Sequence, residues 1–283
     1  MEIKKAEHMG FCFGVKNAVD CAVKVLDEHS KIYSYGEIIH NRDVVELLAD
    51  KGLVVIENLE DSIDKIDAKI LIRSHGVGRK IIELLNENNI EYIDATCPKV
   101  KSIHRIVNKY SSQGHEIIVV GDSSHPEVIG IAGWIEGKYH IADSLDEIKA
   151  LDMDKDKKYC LVCQTTFNNN IFKEVVEFLK KNDYTNIVTN NTICDATIKR
   201  QESCSDIAEN SDIVLVIGGK NSSNTKKLYE LCKEKCDKTF LIENYREIPY
   251  KYIDKNTKIG ITAGASTPDW VIEEVIQNVR ESE

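Results

Sequence analysis

Twenty-four positions after Cys12, Cys97 and Cys194 the chain has a glycine each time: Gly36, Gly121 and Gly218. Four positions further it reads His40, His125 and Ser222. Equal spacing in three places makes this a threefold internal repeat, so one supersecondary unit must serve all three copies. After each cysteine the apolar residues recur with a helical period, as in Val15, Val19, Ala22, Val23 and Leu26, or Val100, Ile103 and Val107. The third copy is more ragged, with Ile198, Ile207 and Ala208. Short β-branched runs then lead into the glycines: Ile32 to Tyr35, Ile117 to Val120 and Ile213 to Ile217. Each glycine-to-His/Ser loop leads into a second helix. A strand follows, entering an acidic stretch that begins at Ile56, Ile141 and Ile242. The first two begin 44 residues after their cysteine and the third four residues later. Each copy closes with one more strand and a polar loop: Ser74-His75-Gly76, Gln164-Thr165-Thr166 and Gly264-Ala265-Ser266.

Alternating strands and helices predict parallel sheets wrapped by helices. The expected fold is α/β: three pseudo-threefold-related units around a central cluster cavity, each a small, mostly parallel four-stranded sheet flanked by helices. The repeat divides the chain into residues 1–96 with Cys12, 97–193 with Cys97, and 194–283 with Cys194. Ligands of open α/β sheets bind beyond the carboxyl ends of the strands. The cysteines, the His/Ser residues and the polar loops all follow strands, so the repeat predicts that they face one pocket.

The chain has 283 residues, of which 42% are hydrophobic, enough for several small cores. A net charge of −10 disfavours a nucleic-acid partner, which requires a basic face. No apolar run approaches the length of a membrane span, and Met1 to His8 has no apolar signal core. These features predict a cytoplasmic protein with no membrane partner. The nine cysteines, an odd number without an extracellular signal, predict free thiols rather than a disulfide framework.

Cys12, Cys97 and Cys194 are each expected at the start of a helix, where partial positive charge favours the thiolate that binds metal. Three thiolates suit an iron–sulfur cluster with one iron lacking a protein ligand. A Cys3His zinc site is the competing metal reading, although the usual short C-x2-4-C spacing is missing. Cys160 and Cys163 lie in a predicted strand, on opposite faces, and read as core. Cys232 and Cys236 read as one apolar helix face. Cys21 and Cys204 read as buried helix residues.

His40, His75 and His125 fall in strand-end loops at repeat-related positions. His8, His29, His104, His115 and His140 do not, and read as structural. The loop Gly218 to Thr225 has the glycines, N–H groups and hydroxyls that suit a phosphate at a helix N-terminus, without Walker spacing. The alternative is ordinary Ser/Asn helix capping. Gly264 to Pro268 has similar character. Glu127 is the one carboxylate within these loops. Buried beside the hydroxyls of Thr165 and Thr166, it can hold a proton near neutral pH and act as a general acid.

Across essentially its whole length the chain resembles the hydroxymethylbutenyl diphosphate reductases of the non-mevalonate isoprenoid pathway. The resemblance is carried by Gly10-Phe11-Cys12-Phe13-Gly14-Val15, Ser74-His75-Gly76, Asp94-Ala95-Thr96-Cys97-Pro98, His125-Pro126-Glu127-Val128 and Gln164-Thr165-Thr166. It continues through Thr192-Ile193-Cys194, Lys220-Asn221-Ser222-Ser223-Asn224 and Thr262-Ala263-Gly264-Ala265-Ser266. It implies a [4Fe–4S] cluster held by Cys12, Cys97 and Cys194, whose fourth iron takes the substrate's allylic oxygen. It implies a diphosphate bound by His40, His75, His125, Ser222, Ser223, Asn224 and Ser266. Glu127, working with Thr165, would protonate the leaving hydroxyl; His125, two residues away in the same loop, is the alternative proton source should Glu127 not be the acid. Two electrons from ferredoxin or flavodoxin would complete the reaction, giving isopentenyl or dimethylallyl diphosphate. Two other classes share parts of this plan. A quinolinate-synthase-like enzyme has three units and three cysteines but needs no diphosphate cradle. A non-enzymatic metal sensor would need no acid such as Glu127.

Overall fold

A computed structural model describes residues 1–282. The chain forms two compact bodies. One comprises residues 1–16, 39–46 and the chain from Asp195 onward; the other comprises Asn17–Ile38 and Leu47–Cys194.

The second body holds two sheets of the same design. In the first, β2 (Ile32–Tyr35), β3 (Leu53–Ile56), β4 (Ile70–Ile72) and β5 (Tyr92–Asp94) are ordered β3-β2-β4-β5. In the other, β6 (Glu116–Val120), β7 (Tyr139–Ala142), β8 (Tyr159–Cys163) and β9 (Ile187–Thr189) are ordered β7-β6-β8-β9. Every pairing is parallel. The helices that accompany these strands are α1 (Phe13–Glu28) and α2 (Arg42–Asp50), whose first residues belong to the first body, and α3 (Arg79–Glu87), α4 (Pro98–Ser112), α5 (Pro126–Ala132), α6 (Leu145–Ala150) and α7 (Asn169–Lys181).

The first body holds the third sheet. Its helices are α8 (Asp195–Glu209), α9 (Ser223–Lys235) and α10 (Asp269–Glu281). Its strands are β10 (Ile213–Ile217), β11 (Thr239–Ile242) and β12 (Lys258–Ala263), and the fourth is β1 (Glu2–Lys5). The order β1-β12-β10-β11 is that of the other two sheets, with β1 in the place of β5 and β9. Residues 2–5, which the repeat count groups with Cys12, thus complete the sheet of the third copy through parallel pairing with residues 258–261. The reason is cyclic. In each copy the strand before a cysteine is the edge of the preceding sheet, and the first cysteine has only the last sheet to join.

Alternation along β10 divides this body's core. Ile213, Leu215 and Ile217 pack with Val271, Ile272, Val275, Ile276 and Val279 of α10. Val214 and Val216 pack with Cys204 and Ala208 of α8 and Leu228 and Cys232 of α9. A buried parallel strand is apolar on both faces, which is why no polar residue interrupts Ile213–Ile217. Cys236 lies one residue past α9 in extended backbone, so it shares the core with Cys232 but not the helix face expected from the i, i+4 spacing.

The repeated glycines end the central strands. The Gly36, Gly121 and Gly218 N–H groups donate to the carbonyls of Ile56, Ala142 and Ile242 at 2.8, 2.8 and 2.9 Å, the last residues of the neighbouring strands. At Gly218 φ is +148°, and a Cβ would lie 2.7 Å from Thr267 Oγ1 and 2.8 Å from Thr225 Oγ1. Neither contact is tolerable, so the turn out of β10 needs a residue without a side chain. Gly218→Ala should therefore destabilise the protein by roughly 1–3 kcal/mol, the range for overpacking a tight interior. Urea denaturation followed by circular dichroism checks this; a variant within 0.5 kcal/mol of the parent, roughly the scatter of surface substitutions, would contradict it.

Candidate functional site

Cys12, Cys97 and Cys194 immediately precede α1, α4 and α8. Each N–H is spent in the same way. That of Cys12 donates to the Ala265 carbonyl at 3.2 Å, that of Cys97 to Ser74 at 3.0 Å, and that of Cys194 to Thr165 at 3.0 Å. The three acceptors lie in the three polar loops that follow β12, β4 and β8. Each cysteine is thereby held beside the strand-end loop that the repeat assigns to binding. All three side chains are partly exposed and free of disulfides.

The remaining cysteines differ chemically. Burial pushes the Cys160 thiol up to about 12 and the Cys163 thiol well above its ordinary value, the latter helped by nearby Glu127. Cys232 is raised by its hydrogen bond with Cys204 and by burial, and Cys21 is raised by burial. Groups held in the thiol form are poor metal ligands. Cys160 also packs in the core with Ile103, Val107 and Val128.

In the first body the phosphate-type loop caps α9. Ser222 Oγ accepts from the Thr225 N–H at 3.4 Å, and Ser223 is the first helical residue. Ser266 Oγ donates to the His40 carbonyl at 3.2 Å. Gly219 must be glycine here, since a Cβ would run into that same carbonyl oxygen. Lys220 does not turn toward the loop's anion-facing groups; its Nζ is paired with Glu247 at 2.6 Å. Asn224 is 3% exposed, yet neither Oδ1 nor Nδ2 has a hydrogen-bond partner in the protein. A buried amide in that state requires an acceptor or donor from elsewhere, and a ligand oxygen meets the need of Nδ2. Thr225 Oγ1 and Thr262 Oγ1 share this condition, although the sequence assigns neither a role of its own. Only burial beside Gly218 and Gly264 distinguishes Thr225.

In the second body Thr165 joins three functions. Its N–H donates to Glu127 Oε1 at 2.6 Å and its hydroxyl to Glu127 Oε2 at 2.7 Å, while its carbonyl accepts from Cys194. Glu127 lies in the first turn of α5 and is 2% exposed. Burial raises its pKa, and the two Thr165 hydrogen bonds oppose the shift without cancelling it. His125 caps the same helix: Nδ1 accepts from the Glu127 N–H at 3.1 Å. A neutral His125 therefore carries its proton on Nε2, as a donor. The His75 and His125 rings meet edge to face with centroids 5.3 Å apart. Within this body the structure brings together His75, His125, Glu127, Thr165, Cys97 and Cys194 as loop neighbours or direct partners. Cys12, His40, Ser222, Ser223, Asn224 and Ser266 belong to the other body. His104, read as structural, stacks on Trp134 at 5.4 Å and is pushed down to about 4 by burial, as befits a neutral core histidine. Among the described residues no helix is long and apolar enough to cross a membrane.

The LytB protein family matches residues 3–280 of this chain. The chain is 45% identical over 284 residues to the 4-hydroxy-3-methylbut-2-enyl diphosphate reductase of Caldanaerobacter subterraneus subsp. tengcongensis, covering 99% of this chain and 97% of the relative. It is 46% identical over 284 residues to the enzyme of the same name from Clostridium perfringens, covering 98% and 97%. Among solved structures it is similar to the E-1-hydroxy-2-methyl-but-2-enyl-4-diphosphate reductase of Plasmodium falciparum. That match has a TM-score of 0.91 at 29% identity, over 98% of this chain and 87% of that one. A second structure, titled as (E)-4-hydroxy-3-methyl-but-2-enyl diphosphate reductase, aligns with a TM-score of 0.69 at 39% identity over 99% of both chains.

The state of Glu127 can be read from stability. Its folded pKa is raised above the unfolded one, so the native state keeps the proton longer. Native stability then falls as pH rises from the ordinary carboxyl range through the folded value, and stays lower above it. Glu127→Gln removes that dependence, and its amide can still donate to the Thr165 hydroxyl. The stability of the variant relative to the parent should therefore grow from pH 4 to pH 8. Denaturant midpoints across this range test it, and a flat difference would mean that the Glu127 carboxyl titrates alike in the folded and unfolded chains.

Proposed function

The chain belongs to the LytB family, and from that premise we propose that it reductively removes the allylic hydroxyl of 4-hydroxy-3-methylbut-2-enyl diphosphate. The products would be isopentenyl and dimethylallyl diphosphate. The observation that carries the reading is the buried Glu127–Thr165 pair, hydrogen-bonded to the segment that presents Cys194. It sets a carboxyl whose burial favours the protonated form beside a candidate metal ligand, an arrangement a passive sensor would not need. A family match over residues 3–280 likewise favours this enzyme over a quinolinate-synthase-like one.

The donor set fits an iron–sulfur cluster. Three thiols share one local setting at helix starts, each with its N–H given to a strand-end loop. Cys12, Cys97 and Cys194 would hold a [4Fe–4S] cluster with one iron lacking a protein ligand. When bound, the cluster would supply the two electrons and a Lewis-acid iron for the substrate's oxygen.

The chain's own residues do the rest. His40, His75, His125 through Nε2, Ser222, Ser223, Asn224 and Ser266 would bind the diphosphate. Asn224 is the strongest of these, because its buried amide has no partner in the protein. Charge-assisted donors of this kind offset the repulsion an anion meets in a chain of net charge −10. Glu127 keeps its proton because burial disfavours the carboxylate, and Thr165 orients the carboxyl through both oxygens. The proton would pass from Glu127, through or beside the Thr165 hydroxyl, to the departing oxygen, which leaves as water. The second proton of the two-electron, two-proton reduction goes to carbon, at either end of the allylic system, which accounts for two products. Ferredoxin or flavodoxin would bring the electrons, and the enzyme would work in the cytoplasm.

Anaerobic purification with iron and sulfide analysis tests the cluster. Cys12→Ser, Cys97→Ser and Cys194→Ser should each lose iron, since a hard hydroxyl replaces a soft thiolate. Cys160→Ser and Cys232→Ser should retain it whenever they fold. The reverse pattern would overturn the ligand assignment.

For the chemistry, Glu127→Gln should bind substrate and turn it over roughly 10²–10⁴-fold more slowly, the usual cost of losing a positioned acid. Turnover within a factor of about three of the parent, far inside that range, would remove Glu127 from the mechanism.

A further inference from the structure

Arg200 lies on α8, six residues past Cys194, and is 6% exposed. Burying a guanidinium is expensive, and its hydrogen bonds are what make it tolerable. Nη1 donates to the Ala196 carbonyl at 2.8 Å, folding the side chain back toward the start of its helix. Nη2 donates to the Gly10 carbonyl at 2.6 Å. One buried cation thus bonds to the residue two places after Cys194 and to the residue two places before Cys12.

The Gly10 segment is shaped to receive it. Gly10 has φ +76°, and a Cβ there would lie 3.0 Å from Ile272 Cδ1. Its own N–H donates to the Ala263 carbonyl at 3.4 Å, and the Cys12 N–H donates to Ala265. Three residues along α8 from Arg200, on the same face, Ser203 Oγ accepts from the His8 N–H at 3.2 Å. Residues 8–12 are therefore pinned by the loop after β12 and by polar side chains of α8. The repeat shows that Arg200 is not part of the shared scaffold. Six places after the other two cysteines stand Ala18 and Ile103.

We propose that Arg200 is a positioning residue for the metal-binding cysteines. Its planar guanidinium locks the Gly10–Cys12 segment onto the first turn of α8. It also places a fixed positive charge beside that segment, which favours the more negative, reduced state of a bound cluster. The charge half of this assignment rests on the reading that Cys12 is a cluster ligand; the locking half does not.

The test compares Arg200→Met and Arg200→Lys with the parent, using the full chain both without metal and after anaerobic cluster reconstitution. Amide hydrogen exchange across residues 8–14 reads the lock. Both variants should exchange there roughly tenfold faster or more, because a single ammonium cannot serve both carbonyls in the guanidinium's geometry. Exchange elsewhere should change little. The cluster's reduction potential reads the charge. It should become more negative in Arg200→Met and return toward the parent value in Arg200→Lys. Unchanged exchange at residues 8–14 in both variants would overturn the lock. Equal potentials in parent and Arg200→Met would overturn the charge. A parent that assembles no cluster would refute the cysteine assignment and leave the exchange result standing. If Arg200→Met does not fold, Arg200→Lys still decides the lock, and Arg200→Gln, neutral and polar, takes its place for the potential.

Discussion

One backbone hydrogen bond, made three times, organises this protein. The N–H of each of Cys12, Cys97 and Cys194 is given to a carbonyl in the polar loop after a sheet's third strand: Ala265, Ser74 and Thr165. A helix N-terminus has N–H groups to spare, and a strand-end loop has carbonyls to spare. Joining the two satisfies both and sets each cysteine beside a loop that carries Ser266, His75 or Thr165. The interaction costs no side chain, so the thiols and the loop side chains stay available for ligands. It also explains why β1 pairs with β12. The first cysteine needs a strand-end loop, and the last sheet is the one left with an open edge.

Around these bonds the interior is more polar than packing alone would allow. Glu127, Thr165, Asn224, Thr225, Thr262 and Arg200 are all buried. Some are engaged internally: Thr165 gives both donors to Glu127, and the two Nη groups of Arg200 serve two carbonyls. The amide of Asn224 is not. That contrast separates two jobs. Engaged buried groups hold the frame and set protonation, as burial does for Glu127. An unsatisfied buried amide such as that of Asn224 can take a partner from outside the protein.

The repeat was legible in sequence because it rests on spacing. So were the central strands, such as Ile117–Val120 and Ile213–Ile217, whose apolar runs match their burial on both faces, and the cysteine-led helices. The candidate site residues stood out because glycine, histidine, serine and glutamate in strand-end loops contrast with apolar neighbours. What escaped had no such contrast. Arg200 lies in a helix with a weak amphipathic pattern, where an arginine reads as solvent-facing. Thr225 and Thr262 stand within recognised motifs, but nothing local marks their hydroxyls as buried without partners. Cys236 follows Cys232 at helical spacing, yet the helix ends between them, and nothing local marks that end.

The sequence by itself determined the order of elements, the threefold plan and the identity of the candidate ligands. These depend on periodicity and on residue chemistry, both of which are properties of short stretches of chain. The tertiary structure alone decided which sheet Glu2–Lys5 would complete and which carbonyl each cysteine N–H would find. It alone decided that Arg200 would turn inward to Gly10. Each of these pairs groups far apart along the chain. Their partners are selected by what burial leaves within reach, and local pattern carries no record of that choice.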